Sequence, residues 1–247
     1  MQPDKKQLEI LLVNYFRLCY DDFPKGQLSP SESPDFIVKM RTRRALGIEL
    51  TRLNPASKNP FDENQLVQIH VMEQIMALSQ DLFEQGSELK LFVKFLFSDI
   101  HELSEQRQLS VAVQTVNLIR KAVHNKSGDS FFRESISGEM LPDGLDEILI
   151  VRHPVMQISA WERANNLGVS NDVVDDIRCS IHKKDEKLLR LYQKQRLNYY
   201  WLLIFTDRLH GVKSFNLPEK IINHEFYSQF QHVFLFDLMK ASVFQLV

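Results

Sequence analysis

The sequence predicts an α+β protein of the three-layer kind. It expects one mixed central sheet flanked by helices, in a single domain over residues 1–247 with a helical and irregular insertion at about 99–160. Three observations predict this. Helix-period and strand-like segments alternate in a mixed order rather than as regular βα repeats. Apolar residues make up 44% of the chain and charged residues 25%, the balance of a globular protein with a sizeable core. The stretch Glu32–Leu53 holds two short apolar runs, Phe36–Val38 and Leu46–Leu50, joined by the basic connection Lys39–Arg44, which outlines a β-hairpin.

Taken in order, Asp4 stands as an N-cap before a helix carrying Leu8, Leu11, Leu12, Tyr15, Phe16 and Cys19 at helical spacing. Pro24, Gly26, Pro30 and Pro34 then read as a loop up to the hairpin. Asp62 caps a second helix, whose stripe runs from Leu66 to Phe83 and stops at Gly86. Residues 88–98, rich in Phe and Val, read as a central or near-central strand. A helix over 103–124 follows, then a polar region punctuated by Gly and Pro at 130–146, then a strand at Glu147–Arg152. The segment 155–170 reads either as a strand extension or as turn. Asp172 opens a long helix to about Asn198, with Val173, Ile177, Ile181, Leu188 and Leu191 on its apolar side. Tyr199–Phe205 is a strand buried on both faces. A short helix at 218–230 and strands at 232–236 and 241–246 complete the chain.

The formal net charge of −2 gives no global field toward nucleic acid or membrane, so a nucleic-acid surface has to be a local patch. Cys19 and Cys179 lie far apart without CxxC spacing, which points to a reducing compartment and a cytoplasmic location. The N-terminal segment reads as an amphipathic helix rather than a signal peptide, and no apolar run is long enough to span a bilayer. The eight histidines show no HxxxH or HxE spacing, and nucleotide-binding glycine loops and the G-x-S-x-G signature are absent.

The hairpin carries two carboxylates, Asp35 just before the first strand and Glu49 within the second. A charge inside an apolar strand needs a partner when buried, and a metal ion shared with Asp35 would provide one. Simple alternation offers another reading, in which Ile48 and Leu50 point inward and Glu49 outward. Basic residues surround the pair in sequence: Lys39, Arg41, Arg43, Arg44 and Arg52 near the hairpin, and Lys183, Lys184, Lys187, Arg190, Lys194 and Arg196 on the long helix. Such clusters can neutralise a phosphate backbone, although a charged helix face is also commonly just solvated.

Pro34-Asp35-Phe36 and Gly47-Ile48-Glu49-Leu50-Thr51, preceded by an N-terminal helix with an acidic residue and followed by a third strand, a helix and a last apolar strand, resemble the core of the PD-(D/E)XK nuclease-like superfamily. That is the restriction-endonuclease-like fold. The C-terminal part, Ile181-x-x-Lys184-x-x-Lys187, Tyr200-Trp-Leu-Leu-Ile204 and Val233-Phe-Leu-Phe-Asp237, resembles an uncharacterised bacterial branch of it. The resemblance covers both ends of the chain and the middle poorly. It implies a Mg²⁺- or Mn²⁺-dependent hydrolase of phosphodiester bonds in DNA or RNA, with Asp35 and Glu49 as metal ligands and Glu9, or alternatively Glu32, as an outer carboxylate. The motif lysine is replaced by Thr51. The resemblance supplies a substitute from the long helix, with Lys184 preferred over Lys183 and Lys187. Arg41, Arg43, Arg44, Arg52, Lys183 and Lys187 are the expected nucleic-acid contacts. Two rival readings remain: a nuclease fold without catalysis that binds nucleic acid or protein, and an interaction protein forming a homodimer through a helical insertion at 99–126.

Overall fold

A computed structural model of the chain describes residues 5–53, 63–98, 103–126, 128–164, 173–191, 197–207 and 221–247. Asp4, Asp62 and Asp172, expected at helix starts, lie outside the described residues, as do Lys194 and Arg196. The helices are α1 (Lys5–Cys19), α2 (Glu63–Glu84), α3 (Glu105–Val123) and α4 (Val173–Leu191). The strands are β1 (Gly26–Pro30), β2 (Phe36–Met40), β3 (Ala45–Arg52), β4 (Phe92–Phe97), β5 (Phe132–Ser137), β6 (Leu145–Arg152), β7 (Ala160–Arg163), β8 (Tyr199–Thr206), β9 (His232–Asp237) and β10 (Ser242–Gln245). The α+β class holds. The strands, however, are shared between two mixed sheets where one central sheet is expected.

The chain divides into two compact units. One comprises Met1–Leu11 with Asn59–Asn166, the other Leu12–Lys58 with Leu167–Val247. The first therefore begins well before residue 99, and the segment expected to be helical and irregular contains β5 and β6 as well as α3.

In the first unit the sheet order is β5-β6-β4-β7, antiparallel except for the parallel β4–β7 pair. Val93, Phe95, Ile148 and Ile150 face α2 and α3, packing with Ile75, Phe83, Val116 and Ile119. Alternation sends Lys94 to the opposite face. It is 1% exposed, and its Nζ lies 3.0 Å from Glu162 on β7, its register partner.

In the second unit the order is β1-β2-β3-β8-β9-β10. β1, β2 and β3 form an antiparallel meander, and β3, β8 and β9 run parallel. One face of this sheet carries Trp201, Phe234 and Phe236 against Tyr15, Phe16, Tyr20 and Phe23 from α1 and the turn after it. The Tyr15 hydroxyl donates to the Leu238 carbonyl at 2.9 Å, so its polar end is satisfied. The other face carries Leu202, Ile204, Val233 and Leu235 under Ile177, Ile181 and Leu188 of α4.

The hairpin forms as expected, with Phe36 opposite Ile48 and Lys39 opposite Ala45. Its turn places Arg43 in the left-handed region at φ 63. Three segments differ from expectation. β1 replaces a loop: it is a polar edge strand with no apolar alternation, recruited by pairing with β2. β5 lies in the polar 130–146 region as another edge strand. Residues 223–231 are turn and irregular backbone rather than part of a helix, and 218–220 lie outside the described residues.

Candidate functional site

Glu49 is 1% exposed, which excludes the solvent-facing alternative. Both faces of β3 are covered, so alternation does not deliver Glu49 to water. Its side chain lies on the α4 face of the sheet, two residues from Gly47 and Thr51 and level with Leu202 of β8. Two ammonium groups meet it there. Lys184 Nζ donates to Glu49 Oε1 at 2.7 Å, and Lys187 Nζ donates to the same oxygen at 2.5 Å. Lys184 also donates to the Leu50 carbonyl at 3.0 Å.

The helix delivers these groups by its periodicity. Ile177, Ile181 and Leu188 are buried, and Lys184 falls on the same stripe, three residues after Ile181 and four before Leu188. Its stem therefore points at the sheet with the apolar side chains, and the ammonium continues to the carboxylate. Lys187 is one turn further on and flanks the stripe. The two lysine side chains are 21% and 33% exposed, so the centre is buried at its carboxylate and reaches solvent along its cations. Asp185, between them, points elsewhere. It accepts from Ser228 Oγ at 2.7 Å and Gln229 N at 3.0 Å, anchoring that segment to α4.

Asp35 arrives from the neighbouring strand. The β2–β3 ladder ends at Phe36 opposite Ile48, and continuing the register sets Asp35 across from Glu49. Asp35 Oδ2 accepts from the Leu50 amide at 2.7 Å, a charge-assisted bond that fixes the carboxylate against β3. Gly47 makes this approach possible. A Cβ there would lie 2.6 Å from Pro34 Cγ and 2.9 Å from Leu197 Cδ1, so the proline ring occupies the space a side chain would need. The Ser33–Pro34 peptide bond is cis.

The other expected site residues divide. Arg52 Nη2 donates to Asp207 Oδ2 at 2.6 Å, and Asp207 is 3% exposed. Arg44 donates to the Tyr199 hydroxyl at 2.7 Å and lies over that ring. Arg41, Arg43 and Lys183 are exposed. The hairpin turn stands roughly 17 Å from Glu49 along β3, at about 3.4 Å per residue. Lys187 is a partner of Glu49 rather than an outlying basic group. Glu32 is exposed, away from any buried seat. Glu9 belongs to the part of α1 grouped with the first unit, with Lys5 at 3.6 Å and Lys6 at 3.7 Å. Among the described residues no group of three or more His, Cys, Asp or Glu side chains is arranged to hold a metal ion. The structure thus brings together Asp35, Glu49, Lys184 and Lys187.

Several buried charges were not singled out from sequence, Asp207 and Lys94 among them. Asp207 directly follows the apolar run of β8, and Lys94 interrupts the apolar run of β4. Each carried the same signal as Glu49, a lone charge in or at the end of an apolar strand.

No protein-family model, curated protein or solved structure matches the chain. The site is therefore read from its own chemistry.

The donor set fits a hard divalent cation in kind. Asp35 and Glu49 offer carboxylate oxygens and Leu50 a carbonyl, oxygen ligands of the kind and small number that Mg²⁺ completes with water. Two lysine ammoniums supply the positive charge at this place in the structure.

Proposed function

We propose that the Asp35–Glu49 centre is the site of a PD-(D/E)XK-like, metal-dependent nuclease that hydrolyses phosphodiester bonds in DNA or RNA. The observation that carries this reading is the Lys184 ammonium, brought 135 residues along the chain to within 2.7 Å of Glu49 Oε1. The proposal assigns it the place of the motif lysine that Thr51 lacks. Part of the element order the resemblance implies is further support: α1 precedes the β2–β3 hairpin, and α4 and β8, parallel to β3, follow it later in the chain.

In this reading Asp35, Glu49 and the Leu50 carbonyl hold Mg²⁺ or Mn²⁺. The ion, when bound, supplies charge to the phosphate and acidifies a water. The Leu50 amide orients Asp35. Lys184 keeps Glu49 ionised and oriented, and its remaining N–H bonds are available to hold a phosphate oxygen or the attacking water. Arg41, Arg43 and Lys183 neutralise flanking phosphates, so binding falls steeply as salt rises.

The test is incubation with Mg²⁺ or Mn²⁺ and single- and double-stranded DNA and RNA. Metal-dependent cutting, reduced at least about a hundredfold in Asp35→Ala and Lys184→Ala, supports the reading. A second reading has its own observation: Glu49 Oε1 and the Leu50 carbonyl, two oxygens a metal would use, both carry lysine ammoniums. Salt-sensitive nucleic-acid binding without cutting under every metal condition would favour that binding-only module.

A further inference from the structure

The first unit holds a cleft of about 300 Å³ between α2 and α3, and none of its lining residues belongs to the Glu49 centre. Leu82 of α2 and Val113 and Val116 of α3 are its apolar lining, and Gln85, Asn117 and Arg120 its polar lining. Val116 is buried and Val113 is 42% exposed, so the apolar lining runs from the core out to solvent. Arg120 is held in place. Its Nη2 donates to the Leu82 carbonyl at 2.6 Å. That carbonyl lies in the last turn of α2, where carbonyls lack partners within the helix. A Cβ on Gly86 would lie 2.9 Å from Nη2 and 3.6 Å from Cζ, so the glycine leaves the room that the guanidinium takes. Capping Leu82 uses one of five N–H donors, and a lysine could do it as well. The other four, and the side-chain amides of Gln85 and Asn117, make no hydrogen bond to the described residues. A seated fork of donors beside an apolar lining fits a planar anion carried on an apolar chain. Arg120 is the one cation of the lining, which matches a monoanion.

We propose that this cleft binds a small amphipathic carboxylate. The carboxylate takes the Arg120 N–H groups, with the amides of Gln85 and Asn117 as further donors. The apolar chain lies along Leu82, Val113 and Val116. The volume is at the lower end of the range for small-molecule sites, which limits the ligand to a short chain or a single ring. The site is assembled from the first unit alone and is independent of the metal-site reading proposed above.

The experiment titrates octanoate into the chain and follows amide NMR shifts and calorimetric heats. The expected result is a dissociation constant of about 1 mM or below, with the largest shifts on α2 and α3 around the cleft. Octanamide carries the same chain without the charge, and acetate the same charge without the chain. Each is expected to bind at least about tenfold more weakly than octanoate. Arg120→Met keeps a long apolar stem and loses the fork, so octanoate affinity should fall at least about tenfold while octanamide is unaffected. In Gly86→Ala the three atoms nearest the added Cβ are Arg120's own, so the guanidinium shifts and octanoate binding weakens. Val113→Asp sets a negative charge in the cleft at a position exposed enough to tolerate it, and should abolish binding. Equal octanoate affinity in the wild type and Arg120→Met overturns the proposal, because the carboxylate is then not recognised by Arg120. Equal affinity in Val113→Asp overturns it as well, because binding then lies elsewhere. Absence of octanoate binding up to about 10 mM in wild-type protein shown to be folded by circular dichroism also overturns it.

Discussion

Glu49 in the six-stranded sheet and Lys94 in the four-stranded sheet are each 1% exposed, and each interrupts an apolar interior strand. Their compensation differs. Lys94 is met by Glu162 from the adjacent strand, at its own register position and 3.0 Å away, and it lies 5.7 Å from the Phe92 ring centroid. The pair is built into the ladder. Glu49 is met by two lysines from a helix, on long stems that reach solvent, with Asp35 brought across from the neighbouring strand by a backbone amide. A lone charge in a strand is thus an incomplete signal. The way its counter-charge is delivered separates an ion pair between register partners on adjacent strands from a centre assembled from a hairpin and a helix.

The largest effect that tests this contrast is expected from removing both cations. Lys184→Ala with Lys187→Ala strips both ammoniums from a buried carboxylate and should lower stability by about 3–5 kcal/mol in denaturant titration. Adding Glu49→Leu should recover most of that loss, since the buried charge goes with it. Full stability in the double variant would mean that Glu49 does not depend on the lysines.

Next comes the seat of Asp35. Gly47→Ala forces a Cβ into the Pro34 ring, 2.6 Å from Cγ, and should cost about 1–3 kcal/mol while weakening Mn²⁺ binding through displacement of the Asp35 segment. Asp35→Ala removes the acceptor of the Leu50 amide, a loss of about 1–3 kcal/mol. Asp35→Asn keeps an acceptor oxygen and should regain much of the stability, yet remain without metal-dependent cleavage. A parallel recovery of both would reduce Asp35 to a structural cap.

The smallest effect belongs to the first unit. Burial and the neighbouring Arg152 hold the His153 imidazole below its usual value of 6.5, and its Nδ1 accepts from the Val155 amide. The folded state prefers neutral His153, so this contribution is present above about pH 6.5 and is lost as pH falls through the lower folded value. His153→Gln should lessen the stability difference between about pH 8 and pH 5 in thermal melts. An unchanged difference would remove His153 from the account.

The parts of the fold that could be read in the sequence are those with strong local periodicity. The four helices and the hairpin fall where their patterns put them, and Pro34-Asp35 with Glu49 marked the centre. β1 was hidden because an edge strand of Gly26–Pro30 has no buried face to print a period; it exists through its pairing with β2. β5 was hidden differently: its core side carries only two apolar residues, Phe132 and Ile136, with the charged Glu134 between them, too few to print a period. The division of strands between two sheets is a matter of long-range pairing, which no local pattern encodes. Lys184 had a local mark, its place on the stripe of Ile177, Ile181 and Leu188. Lys187 had only its spacing, and its contact with Glu49 depends on how α4 lies over the sheet. The pairing of Arg52 with Asp207 likewise joins segments 155 residues apart.

The central claim is that the Glu49 centre acts on phosphodiesters while the Lys94 pair only supports its sheet. The most direct measurement is cleavage of a mixed DNA and RNA panel with Mg²⁺ or Mn²⁺ by the wild type, Glu49→Gln and Lys94→Met. Cutting by the wild type and Lys94→Met, abolished in folded Glu49→Gln, is the result the account predicts. Equal cutting by Glu49→Gln, or none by the wild type under any of these conditions, would contradict it.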